Sequence, residues 1–205
     1  NSVGLILGMY LSYYIGHTSY FIIFVLTSLL LYEYAKHWKK KLLIGNIIVS
    51  SIVLFCILML GVFDVAPATN NYNLESQMGI LHIILMFGGF GFTLTFIREV
   101  VKDIEDIEGD KAIQAKSLPI ILGELRTKQI LVILTFLLIL ALSYISYTVY
   151  PAHSPVSYYL LGLVIIPLII FIIMLAKAST KKDFHTLSAI LKLIMLFGIL
   201  SMLII

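Results

Sequence analysis

Apolar residues in this chain come in long unbroken runs, not in the spaced positions of a water-facing helix or the alternation of a half-buried strand. Charge-poor stretches cover residues 2 to 16, 18 to 32, 42 to 63, 79 to 97, 129 to 149, 156 to 176 and 185 to 205. Continuous Leu, Ile, Val and Phe with no period of two excludes the strands of an outer-membrane barrel, and a crossing of about 30 Å of hydrocarbon takes about 20 apolar residues in a helix. The pattern therefore predicts an all-α membrane protein with seven transmembrane helices, forming a single transmembrane domain over residues 1 to 205. Composition agrees: 60% of residues are hydrophobic and 12% are charged, against about 25% charged in soluble domains. Mean hydropathy is +1.05. Cys56 is the only cysteine, so a disulfide scaffold is excluded.

The connecting segments sort by charge. Residues 33 to 41 hold Lys36, Lys39, Lys40 and Lys41, and residues 98 to 128 hold Arg98, Lys102, Lys111, Lys116, Arg126 and Lys128. Residues 177 to 184 hold Lys177, Lys181 and Lys182, which leaves only Lys192 of all the Lys and Arg residues outside these three segments. The alternate connections, 64 to 78 and 150 to 155, hold none. Cytoplasmic loops retain Lys and Arg, so the basic set is expected on the cytoplasmic side, with Asn1 inside and Ile205 outside. Lys192 reads as a helix-end residue whose stem snorkels to the surface.

Of the 11 acidic residues, six fall between Glu99 and Asp110. With no breaker before Gly109, this segment is predicted to be helical at least that far. Glu99, Asp103, Asp106 and Asp110 then share one narrow face, while Glu105 and Glu108 point elsewhere. Like charges three and four apart repel by about 0.2–0.5 kcal/mol per pair. A hard divalent cation relieves that repulsion, since Mg²⁺ prefers carboxylate oxygen and is held by one or two carboxylates together with substrate phosphates. Arg98, Lys102, Lys111 and Lys116, with Lys39 and Lys40 from the neighbouring loop, are candidates for the phosphate oxygens that the metal leaves free. An EF-hand is a poor alternative, because the alternating Asp, Asn and Gly pattern is missing. On residue types alone, a solvated amphipathic loop helix accounts for the segment equally well.

Elsewhere, Gly88, Gly89 and Gly91 are expected to let two membrane helices approach closely, Pro167 to kink its helix, and His82 to be a packed, hydrogen-bonded residue. Tyr10, Tyr13 and Tyr14 read as interfacial aromatic residues.

The stretch from Arg98 to Ala112, R-E-V-V-K-D-I-E-D-I-E-G-D-K-A, followed by K-S-L-P at 116 to 119, closely resembles the second aspartate-rich motif of the UbiA-type intramembrane prenyltransferases, whose core is D-x-x-D-x-x-x-D. Here that core is Asp103, Asp106 and Asp110, and Ser117 stands where the family more often has threonine. Residues 34 to 46, ending in Gly45 and Asn46, resemble the family's preceding cytoplasmic loop. Tyr34 and Lys39 fit its tyrosine and lysine best, with Tyr32 and Lys40 as the other pair. The resemblance implies a nine-helix bundle of which the seven helices here match the third to ninth, so the chain is expected to be truncated at its front. The first motif, N-D-x-x-D-x-x-x-D, would precede Asn1, and the 205 residues by themselves are expected to be inactive.

It further implies transfer of an isoprenoid chain from a polyprenyl diphosphate to a lipid-soluble acceptor within the bilayer of a prokaryotic cytoplasmic membrane, without a nucleic-acid partner. Mg²⁺ would be held by Asp103, Asp106 and Asp110, and the diphosphate would meet Arg98, Lys102, Lys111, Lys39, Tyr34 and Asn46. The form of the motif most resembles the branch acting on geranylgeranylglycerol phosphate, with quinone-precursor rings as the other acceptor class. The competing readings are a cation-coupled transporter, whose acids would lie near the bilayer midplane on broken helices, and a membrane scaffold without catalysis.

Overall fold

The computed structural model describes residues 2–38, 42–151 and 154–204, and among them there are helices and turns but no strand. In chain order the helices are α1 (Ser2–Tyr14), α2 (Phe21–Glu33), α3 (Ile44–Leu60), α4 (Ala66–Ala68), α5 (Leu74–Glu105), α6 (Ile107–Ala112), α7 (Leu118–Leu122), α8 (Glu124–Val149), α9 (Ser154–Leu160), α10 (Ile166–Lys177) and α11 (Lys181–Leu200). Five continuous helical stretches among the described residues are long and apolar enough to cross a membrane: Ile44–Ala68, Leu74–Glu105, Glu124–Val149, Ser154–Lys177 and Lys181–Leu203. Two more apolar helices, Ser2–Tyr14 and Thr18–Glu33, are shorter.

The helix boundaries have local causes. Gly16 takes φ +80 just beyond α1, and the His17 N–H reaches back to the Ser12 carbonyl at 3.1 Å, the wrapped C-terminal bond pattern that glycine permits. Pro67 and Pro167 each occupy the second position of a helical segment and follow a π-helical turn, Gly61–Val65 and Leu161–Ile165 respectively. The expected disturbance at Pro167 is thus a widened turn within one continuous helix, which accommodates the missing N–H. At the start of α11, Thr180 and Asp183 form a reciprocal capping box.

The core lies where α5, α8, α10 and α11 meet. Leu94, Ile97, Val100, Val101, Leu131, Leu168, Phe171, Leu175, Leu187 and Leu191 are fully buried there. Close approach of α3 to α5 rests on Gly88 and Gly91, as the small-residue patch predicts. A Cβ at Gly88 would sit 2.7 Å from Leu54 Cδ1, and one at Gly91 3.2 Å from both Val53 Cγ1 and Ile57 Cδ1. Gly89 faces open space. Large apolar side chains such as Phe136, Leu140, Ile169 and Ile173 remain half exposed on the outside of long helices, a distribution stable only against lipid. Tyr10, Tyr13 and Tyr14 are also exposed. His82 departs from expectation: it is exposed, and it has no hydrogen-bond partner among the described residues.

α5 is the axis of the molecule, packing most extensively against α3 and α11. Its 32 residues extend about 48 Å, well beyond the hydrocarbon thickness. Its apolar crossing ends at Ile97, and the two turns from Arg98 to Glu105 project past the membrane-spanning part. That polar extension carries the acids.

Candidate active site

Two features of the backbone turn the acid-rich segment into a wall. α5 stops at Glu105 instead of running on to Gly109: Asp106 takes φ −115 and ψ 29, and the chain restarts at once as α6. The bonds Asp106 N–H to Lys102 O (3.0 Å) and Asp110 N–H to Asp106 O (2.9 Å) hold both sides of the step. Gly109 leaves room for the Asp106 carboxylate as it stands, since a Cβ there would lie 2.8 Å from Asp106 Oδ1. The carboxylate of Asp106 occupies the space a side chain at 109 would need. Beyond α6, Gln114 adopts φ 54 and the Ala115 N–H returns to Asp110 O at 2.9 Å, which turns residues 115 to 117 back alongside the acids.

A cavity of about 430 Å³ results, lined by Glu99, Lys102, Asp103, Glu105, Asp106 and Asp110 from α5 and α6 and by Ala115, Lys116 and Ser117 from the turn into α7. Tyr34, Leu43, Gly45 and Asn46 close it from the α2–α3 side, and Lys181 reaches it from the start of α11. Leu43, at φ 56, is with Gln114 one of the two non-glycine residues among those described that hold a left-handed backbone. Both lie beside this cavity, where such strain is commonly retained.

Asn46 Nδ2 donates to Asp103 Oδ2 at 2.7 Å, tying the start of α3 to the acidic end of α5 across 57 residues of sequence. Burial pushes the Asp103 carboxyl from its ordinary 3.8 up to about 6. The Asn46 hydrogen bond and Lys102 oppose that rise, whereas the charges of Asp110 and Glu99 add to it. Tyr34 is raised as well, first by burial and then by Glu99 and Asp103. Lys181 Nζ stands 3.6 Å from Asp106 Oδ1, and His185 Nδ1 is 3.0 Å from Glu105 Oε1.

Of the nine residues that the resemblance assigns to metal and diphosphate, six meet at one cavity, Asp103, Asp106, Asp110, Lys102, Tyr34 and Asn46, and Lys116 and Glu99, also singled out from sequence, line it with them. Three do not join them. Arg98 is not among the lining residues: it sits one turn deeper than Lys102 on the same face of α5 and pairs with Glu99 instead, Nη1 to Oε1 at 2.7 Å. Lys111 is exposed on the far side of α6. Lys39 lies outside the described residues, as does Lys40. Glu105 is a correction in the other direction: expected to point elsewhere, it lines the cavity. Lys181 was legible as a basic residue on the same side of the membrane, but its approach to Asp106 depends on α11 packing against α5, a long-range fact with no local signal.

Five carboxylates face three ammonium groups around the cavity, so it favours an added cation. No three Asp, Glu, His or Cys side chains among the described residues converge into a ready metal cage. Mg²⁺ does not require one, since it keeps several waters and takes its remaining oxygens from phosphate. The all-oxygen donor set and the buried, unpartnered Ser117 hydroxyl fit that ion bound together with a phosphorylated ligand.

Residues 2–198 match the UbiA prenyltransferase family, and the chain belongs to that family. It is 30% identical over 202 residues to a digeranylgeranylglyceryl phosphate synthase of Methanosphaera stadtmanae, covering 97% of this chain and 65% of the relative. Against the synthase of the same name from Korarchaeum cryptofilum it is 31% identical over 205 residues, covering 96% and 64%. A shorter stretch of 88 residues, 43% of this chain and 28% of the relative, is 42% identical to the synthase of Pyrococcus furiosus. The chain thus spans about 65% of the length of such relatives. No solved structure matches it.

Proposed function

We propose that the whole protein is an integral-membrane prenyltransferase that moves an isoprenoid chain from a polyprenyl diphosphate to an isoprenyl-glycerol phosphate. The observation that carries this reading is the carboxylate cavity at the end of an apolar bundle, where a water-soluble diphosphate head and a hydrocarbon tail are accommodated together. The names of the archaeal relatives support the glycerol phosphate acceptor over a quinone-precursor ring. Counting α1 and α2 as crossings gives the single domain seven transmembrane helices, the third to ninth of the family's nine. The acidic cavity then opens to the cytoplasm, on the side that gathers the basic loops.

Asp103, Asp106 and Asp110 are the residues that would hold Mg²⁺, which when bound neutralises the charge that builds on a departing diphosphate. Asn46 fixes the Asp103 carboxylate, and Tyr34 lies beside it. Lys102, Lys116 and Lys181 line the cavity where they would offset leaving-group charge, Arg98 and Lys111 would add positive potential from just outside it, and Lys39 is assigned to the diphosphate by its motif alone. As the donor carbon–oxygen bond breaks, the allylic cation meets the acceptor hydroxyl, a new carbon–oxygen bond forms, and the hydroxyl proton leaves. The apolar helix walls keep competing water away. A cation-coupled transporter is disfavoured, since the polar groups buried within the described crossings are Ser and Thr and not acids.

Full-length protein in detergent, given Mg²⁺ and a polyprenyl diphosphate, should release diphosphate with an isoprenyl-glycerol phosphate and not with hydroxybenzoate or dihydroxynaphthoate. Turnover with the aromatic acceptors alone would overturn the choice of acceptor.

A further inference from the structure

Ser117 is the N-cap of α7, yet its hydroxyl does none of the work usual for that position. An N-cap serine accepts from the N–H two or three residues on. Here the second position is Pro119, which has no N–H, and the third, Ile120, donates to the backbone carbonyl of Ser117 at 3.2 Å. The side chain makes no cap bond, Oγ is buried, and it has no partner among the described residues. Ser117 as a whole is only 8% exposed and lines the carboxylate cavity.

A buried hydroxyl left without a partner lowers stability by about 1–3 kcal/mol relative to one that is satisfied. Local structure has been arranged so that this one stays unused. Five carboxylates and three lysines share that wall; with the carboxylates satisfied by a divalent cation, Lys102, Lys116, Lys181 and the Ser117 hydroxyl are the donors left for an anionic oxygen.

We propose that Ser117 is a ligand-binding residue whose Oγ–H donates to a phosphate oxygen, forming a subsite distinct from the carboxylates. This inference rests on the prenyl-transfer reading for its ligand class, because that reaction offers two sources of such an oxygen, the donor's diphosphate and the acceptor's phosphate monoester. A structural role for the hydroxyl predicts a loss of stability when it is removed. The present assignment predicts the reverse: Ser117→Ala keeps or raises the melting temperature and weakens phosphate binding about tenfold, while Ser117→Thr, which retains the hydroxyl, binds like the wild type.

The test is direct binding to the full-length protein in detergent with saturating Mg²⁺, using inorganic pyrophosphate and glycerol 1-phosphate as separate probes, so that it does not depend on turnover. Weakening toward pyrophosphate alone assigns the subsite to the donor, and weakening toward glycerol 1-phosphate alone assigns it to the acceptor. Unchanged affinity for both, or a lower melting temperature with both affinities intact, overturns the proposal. In a parallel Mg²⁺ titration, a weakened Mg²⁺ affinity with unchanged binding of both probes at saturating Mg²⁺ overturns it as well, by making the hydroxyl a metal ligand. Wild-type binding of both probes without any prenyl transfer would sink the enzymatic reading and leave the subsite standing.

Discussion

Asp103 shows how a functional carboxylate sits at the expense of the fold. Its pKa of about 6 against an ordinary 3.8 means that, between those pH values, the folded metal-free protein holds a proton the unfolded chain has released. The contribution of this one group to stability therefore falls as pH rises from about 4 to about 6 and is constant outside that window. Asp103→Asn removes this slope and is expected to stabilise the metal-free protein at pH 7 by about 1–3 kcal/mol, while abolishing Mg²⁺-dependent transfer. The proton and the metal compete for one site, so Mg²⁺ affinity should climb through pH 6. Thermal unfolding at several pH values checks the first point and metal titration the second. A wild type with flat stability from pH 4 to 7 would contradict the burial assigned to this side chain. The shared face of Glu99, Asp103, Asp106 and Asp110 was legible from their 4-3-4 spacing, and the family resemblance singled out the three aspartates. The resemblance also pointed to Asn46, but its bond to Asp103 was not legible, because no local rule links residues 57 apart.

At the scale of the element, the step between α5 and α6 decides where the acids point. Sequence rules place helix ends at proline, glycine or a cap, and nothing before Gly109 meets that description, so an unbroken helix was the natural expectation. The step falls at Asp106, whose carboxylate fills the space over Gly109, a packing relation between residues three apart that no end signal announces. Gly109→Ala is compatible with its helical backbone and is expected to raise helix stability by about 0.5–1 kcal/mol, yet it forces the Asp106 carboxylate to move. The expected result is an unchanged or higher melting temperature with about a tenfold rise in the Mg²⁺ concentration needed for half-maximal transfer. Wild-type Mg²⁺ dependence in this variant would show that Asp106 does not need its observed position. Pro167 carries a related lesson. The residue type predicted a disturbance, but whether it became a kink or a π-helical turn depended on neighbours across the bundle.

For the whole molecule, hydropathy made the long crossings legible because hydrocarbon thickness imposes a length that soluble folds lack. The first two runs, 2 to 16 and 18 to 32, were already the shortest in the sequence, and the turn at Gly16 leaves α1 and α2 shorter than the five long helices. Hydropathy could not bring α11 to α5, and with it Lys181 to Asp106 and His185 to Glu105. The central claim is that this cavity is the seat of Mg²⁺-dependent prenyl transfer. Asp106 tests it most cleanly, because its side chain is 65% exposed and its removal leaves the core intact. The measurement is diphosphate release by full-length Asp106→Ala, with a polyprenyl diphosphate, an isoprenyl-glycerol phosphate and Mg²⁺. A fall of at least about a hundredfold with an unchanged melting temperature is the predicted result, and near-normal turnover would contradict the account.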